Sequence, residues 1–232
     1  MSLAGQGAIA IWNDITAEGR ANFYAWHGVQ HVPERVGIPG FLRGRRYVAI
    51  HGSPEYFTLY EAESPQVLSG QDYGNRLNNP TPWTLASIKH FRNVARSLCR
   101  VAVTLGEGQG GLIATWRYDV PDDRADAHQQ ELTERLLPAL AARPGVAGVH
   151  LLIADAEASA VDTVERKSRG EPNRVPRWVL MLEGWDDVEP FDALCKSTLG
   201  DAVLAGTGAA GAPEHGLYRL QISRAKLPWS AG

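Results

Sequence analysis

Two βαββαβ units in succession, each an antiparallel sheet with its helices on one face, form the α+β fold that this 232-residue sequence predicts. Three observations point there. Periodicity and turn signals give strand, helix, strand, strand, helix, strand, and the same order restarts after the glycine-rich stretch GEGQGG at 106–111. Pro39-Gly40 and Pro144-Gly145 mark the same turn in both runs, about 105 residues apart, and Trp12 and Trp116 sit in the opening strands at nearly the same interval. The strands are apolar on both faces, so each sheet needs cover on the side its helices leave bare. Packing the two antiparallel sheets face to face supplies that cover and makes a pseudo-symmetric barrel lined from both halves. Such a barrel has room for a cavity of roughly a few hundred Å3. The expected units are two ferredoxin-like repeats, 1–106 and 111–232.

The elements follow in order. AIAIW at 8–12 is a strand, and Thr16 with Glu18 suits the start of a helix. The helix carries Phe23, Trp26, His27, Gln30 and His31 at the spacing of one face. Pro33 biases Val32 away from helical dihedrals, which ends that helix near His31. Ile38-Pro39-Gly40 turns the chain into a strand over 41–51, and YFTLYE at 56–61 alternates as the next. A second helix opens at Ser64-Pro65, and residues 96–105 close the first half as a strand. The second half reads as a strand at 112–120, a leucine-rich helix at 123–143, strands at 146–154 and 177–185, a helix at 188–199 and a last strand at 216–225. Residues 155–175 read as a solvated insertion, and 206–216 as a flexible connection. The opening Met-Ser-Leu carries no structural weight in this reading.

Composition excludes several classes. No segment approaches the roughly 18 apolar residues of a membrane span. The N-terminus lacks a signal peptide's charged start and apolar run. The net charge of −3, with scattered Lys and Arg, does not make a nucleic-acid surface. Two cysteines, Cys99 and Cys195, suit a reducing, cytoplasmic setting. GEGQGG lacks the Lys-Ser/Thr of a phosphate loop and sits between two strands, so it is a linker.

The run FYAWHGVQHVPERVGIPGFLRGRRYVA resembles the EthD-like proteins of the dimeric α+β barrel superfamily. The matching residues are His31, Pro33, Glu34, Arg35, Pro39, Gly40, Phe41, Arg45, Arg46 and Tyr47. YFTLYEAESPQVL and NPTPWT resemble a tandem, double-length branch of that group. Two departures stand out: Gln30 sits where an acidic residue is expected before the histidine, and His27 where a tyrosine is usual. The resemblance implies a cavity between sheet and helix for small aromatic or polyketide-like molecules. Relatives include cofactor-independent monooxygenases, isomerases, dehydratases and haem enzymes.

His31 is the candidate catalytic residue, because an imidazole moves protons near neutral pH. The alternative is a helix-end histidine bonded to its own turn or to Glu34. His27, Trp26, Arg46, Tyr47, Tyr60 and Trp83 are the candidate ligand-binding residues. Arg46 would hold a carboxylate or phenolate, and the aromatic residues would line the pocket. The ordinary alternatives are surface ion pairs and core packing. His27 and His31 have the spacing of a helical metal pair, but no third ligand can be placed, so neither a metal nor a cofactor is expected. The functions in play are an enzyme working by proton transfer or cofactor-independent oxidation, a non-catalytic small-ligand binding protein of the same fold and, as a minor reading with no second signature behind it, haem binding through a helix histidine. The expected partner is a small molecule, with no nucleic acid and no membrane; a homodimer is left open.

Overall fold

Among the described residues eight strands, interspersed with helices, pair antiparallel into one closed barrel. This is a computed structural model, and it describes residues 2–170, 172–185 and 187–226. The strands are β1 (Gly7–Ile15), β2 (Phe41–Gly52), β3 (Tyr56–Ala62), β4 (Phe91–Leu105), β5 (Leu112–Asp119), β6 (Val146–Ala154), β7 (Trp178–Gly184) and β8 (Ala210–Ala225). Their order around the barrel is β1-β3-β2-β8-β5-β7-β6-β4. The first four strands are therefore contiguous, and so are the last four. The two inner faces meet as expected, but not as separate layers: β2 pairs with β8 and β4 with β6, so no edge is left unpaired.

Helix α1 spans 20–37, α2 is Pro65–Leu68, α3 Gln71–Asn78 and α4 Pro82–Ile88. The second half has α5 over 125–141, α6 (Ala156–Ala160), α7 (Val164–Arg169), α8 (Val188–Thr198) and α9 (Asp201–Thr207). Gly40 and Gly145 turn the chain into β2 and β6 with φ of 80° and 85°, a region that side chains resist. A Cβ on Gly40 would stand 2.5 Å from Val67 Cγ2. Gly40→Ala is expected to cost about 1–2 kcal/mol in urea unfolding, through strain and that clash together.

Several expectations need correction. The barrel interior is packed, not hollow: Ala8, Ala10, Trp12, Tyr47, Phe57, Leu59, Ile113, Val179, Met181 and Tyr218 fill it. Trp12 and Trp116 are not equivalent. Trp12 points inward and donates to Thr115 Oγ1 at 3.3 Å, whereas Trp116 packs outside under its helices. One residue of offset moves a side chain to the other face. The inward counterpart of Trp12 is Arg117, whose guanidinium lies 4.9 Å from the Trp12 ring. Ser2 and Leu3 do carry weight: both are buried, and Leu3 joins the barrel core. β8 begins at Ala210, so most of the expected flexible connection is strand. Cys99 and Cys195 are both buried and free, one facing the barrel interior and the other in the outer core.

One end of the interior holds charge. Arg43 grips Glu61 with two bonds of 2.8 and 2.6 Å. Arg45 donates to Glu61 at 3.1 Å and to both oxygens of Glu183 at 2.9 Å. His150 Nε2 lies 3.3 Å from Glu183, and the Gly110 amide donates to it at 3.1 Å. The 106–111 linker thus caps a buried carboxylate. Burial works to raise the Glu183 carboxyl, but His150, Arg45 and the Gly110 amide hold it down at about 2.

Candidate active site

α1 positions the site. Its first turns are α-helical (Arg20–Trp26), the next is a π-turn (His27–His31), and the helix resumes over Val32–Gly37. It does not stop at His31. Val32 N–H bonds to His27 O, five residues back, just before Pro33. A wider turn at that point accommodates a proline that lacks an N–H and would crowd the helix behind it. α5 repeats the device: Leu137 N–H bonds to Leu132 O directly before Pro138.

The π-turn brings His27 and His31 over the outer face of β1, β3 and β4. A small, partly enclosed cavity of about 40 Å3 lies there, between that face and α1, α3, α4 and α7. His31 stacks on Trp26 at 4.2 Å between ring centroids, with His27 at 5.3 Å and Tyr60 at 6.4 Å. Trp26 is fixed by its indole donating to Thr84 Oγ1 at 3.2 Å. Thr81 caps α4, accepting from Thr84 N at 3.0 Å, and also accepts from Gln30 at 2.7 Å. Gln30 is therefore tied to the rim and does not share the inward face. Gly44 lies opposite Tyr60 in the ladder; a Cβ there would come within 2.9 Å of the phenol ring. The missing side chain lets that ring lie flat across β2.

The cavity is polar and under-satisfied. Among the described residues, His27 Nδ1, His31 Nδ1, Arg35 Nη1, Tyr60 OH and Arg169 Nε are buried with no hydrogen-bond partner, and all five residues line it. Burial pushes both imidazoles well below the ordinary histidine range; Arg35, His27 and Arg169 add to this at His31, and Arg46 and Arg35 at His27. Both rings are thus neutral at pH 7, and each keeps a basic nitrogen. Burial raises the Tyr60 phenol, which stays protonated and can donate. Burial disfavours the Arg35 charge, but Glu165 and the neighbouring tyrosines outweigh it and keep the guanidinium charged.

Of the residues expected from sequence, Trp26, His27, His31 and Tyr60 share this cavity. Arg46, Tyr47 and Trp83 do not line it. Arg46 stands on the outer face but lies over Tyr24 at 4.8 Å and Phe23 at 5.3 Å, and donates to Gln221 at 3.0 Å. Tyr47 points into the barrel and stacks on Phe57, because strand alternation sends it opposite to Arg46. Trp83 donates to Asn22 at 2.8 Å and braces α4 against α1.

Tyr73, another tyrosine of the first half that suits an aromatic pocket, also lines the cavity; Arg35, Arg96, Glu165 and Arg169 line it too and were not expected there. Two come from residues 155–175, which are not a free surface loop. This segment corresponds to the short β2–β3 turn of the first half. Here it carries α6 and α7, with Asp155 capping one and Thr163 the other. Backbone bonds from Arg96 N to Arg174 O (2.9 Å) and from Arg174 N to Val94 O (3.0 Å) tie it to β4. Glu165 accepts a bond from Arg35 within the buried site.

A haem does not suit these residues. Both cavity histidines lie on one helix, and Trp26 covers a face of His31. Among the described residues no group of three or more His, Cys, Asp or Glu could hold a metal ion, and no helix is long and apolar enough to cross a membrane.

No family model matches the chain, and no curated protein matches it. Solved structures do. An anthrone oxidase-like protein aligns over 97% of this chain and 95% of its own, at TM-score 0.63 and 14% identity. A candidate monooxygenase from Fusobacterium nucleatum subsp. nucleatum covers 97% and 96%, at TM-score 0.61 and 10% identity. Another from Lactobacillus acidophilus covers 95% and 96%, at TM-score 0.57 and 10% identity. The fold is that of the dimeric α+β barrels.

In this α+β barrel the two halves treat the same place differently. The π-turn of α5 carries Leu132 and Leu136 where α1 carries His27 and His31. His128, the buried histidine of α5, is bonded to Tyr118 OH and to Thr207 O, both at 3.0 Å. At that place leucines pack into the core and the histidine is satisfied.

Proposed function

We propose that the chain is a small-molecule enzyme of the EthD-like kind, a tandem form built from repeats 1–106 and 111–232, with its site in the first. The contiguous four-strand blocks, the paired glycine turns and the paired π-turns support the tandem reading. Two buried thiols suit a reducing, cytoplasmic setting.

The observation that carries the function is His31: a neutral imidazole with its Nδ1 buried and unpartnered, beside an equally unpartnered Tyr60 hydroxyl and Arg35 Nη1. Unsatisfied buried polar groups are costly, and a ligand that satisfies them explains their retention. His31 takes a proton from an acidic carbon or hydroxyl of a small aromatic or polyketide-like ligand. The electron pair moves onto the ligand's oxygen. Tyr60 donates to that oxyanion, and the surrounding guanidinium charge stabilises it. Reprotonation at another atom gives an isomer. Transfer of the electrons to dioxygen gives cofactor-independent oxidation; for an anthrone the balanced products are the anthraquinone and water. Trp26 and His27 form the wall against which a flat ring stacks. Relatedness in fold to an anthrone oxidase-like protein makes anthrone a rational first probe.

The test is oxygen uptake and product absorbance with anthrone and a panel of small aromatic and polyketide-like ketones, for the native chain and His31→Ala. Turnover lost with binding kept supports the enzyme. Binding without turnover in the native chain supports the second reading, a non-catalytic binding protein of the same fold.

A further inference from the structure

The charges around the cavity do not balance. Among its lining residues Arg35, Arg96 and Arg169 face a single carboxylate, Glu165, and both histidines are neutral. Other acids on the packing elements lie elsewhere. Glu34 accepts from Gln30 at 2.9 Å and stands 3.6 Å from Arg76; Asp72 and Asp162 are exposed; Asp14 accepts from the Glu55 amide at 2.6 Å. Arg96 spends one nitrogen on the Tyr73 hydroxyl at 2.9 Å. Arg35 gives Nη2 to Glu165 and leaves Nη1 open, and Arg169 leaves Nε open. Arg35 is 2% exposed, so its open N–H has no bulk water to turn to. Arg96 and Arg169 are half-buried, but the buried Arg35 charge and the unspent N–H donors turned into the cavity are unfavourable unless an anion completes them.

We propose that the ligand of this cavity is a carboxylate, held by Arg35 Nη1 and Arg169 Nε at the α7 end while the rest of the molecule lies against Trp26 and His31. The inference rests on the cavity being the ligand site. It adds that the ligand presents a carboxylate, and that the second half of the chain supplies one of the two anchors. Arg169 is held down at about 10 by burial and by Arg96, as expected for a cation short of counter-charge.

The probes are acetate and benzoate against their neutral isosteres acetamide and benzamide, added to the full chain and followed in 1H–15N spectra at the His31 and Trp26 rings. Both acids are expected to shift these signals saturably, with the amides binding about tenfold or more weakly, since charge-assisted bonds are about twice as strong as neutral ones. Arg169→Gln should weaken benzoate about tenfold and leave benzamide unchanged, and Arg169→Lys should recover part of the loss. A structural role for Arg169 would weaken both probes alike, and that result overturns the inference. Amides binding as tightly as acids overturn it too, while leaving the cavity as the ligand site. No shift with any probe removes both.

Discussion

Glu183→Gln is expected to destabilise the folded chain by about 3–5 kcal/mol in urea unfolding at pH 7, the cost of breaking a buried ion pair by removing one partner. Glu183 and Arg45 are both fully buried inside the barrel, and the two bonds between them cross from one half of the chain to the other. The substitution leaves Arg45 charged with only Glu61 to answer it. Replacing the pair by apolar residues, Arg45→Met with Glu183→Leu, should cost much less, because no orphaned charge remains. The pH dependence has a defined sign. The folded carboxyl is depressed to about 2, below its ordinary value of 4.5. Its contribution is therefore present above about 4.5 and is lost as pH falls toward 2. The native chain should show a falling urea midpoint across that window, and Glu183→Gln a flatter one.

His31→Ala is expected to lower kcat about 10²–10⁴-fold on whichever ligand turns over, the usual worth of a positioned base. Folding should survive, because the corresponding place in the second half is filled by a leucine with no polar partner of its own. Since burial and the nearby arginines hold the imidazole well below the ordinary range, its basic form persists in acid. The acid limb of kcat/KM should therefore fall below pH 6.5, not at it. His27→Leu should weaken binding more than turnover, because that ring forms wall between Phe23 and His31 at 5.0 and 5.3 Å.

The architecture was legible because strand alternation and turn residues are local signals. AIAIW and YFTLYE could be little but strands, and Pro39-Gly40 could be little but a turn. Face and register were less legible. Trp12 and Trp116 match in spacing but not in facing, since a single residue of offset inverts a strand. The helix limit at Pro33 was misread because a π-turn leaves no mark in hydrophobic periodicity. At the site, the aromatic and histidine stripe of α1 was readable from its spacing. Arg35 belongs to the same motif run and lies one helical turn beyond His31 on the same face, but nothing in the spacing tells an inward arginine from a solvated one. Glu165 and Arg169 had no readable signal at all. They lie in a polar stretch that reads as solvent-facing, and only barrel closure through β4 and β6 carries it over the first half.

The central claim is that His31 is a buried, neutral base. A pH titration of histidine side-chain nitrogen signals, with His31 assigned by loss of its resonance in His31→Ala, tests it most directly. The structure predicts a ring that stays neutral from pH 8 to well below 6.5. A ring that titrates near 6.5, as a solvated imidazole does, would contradict it.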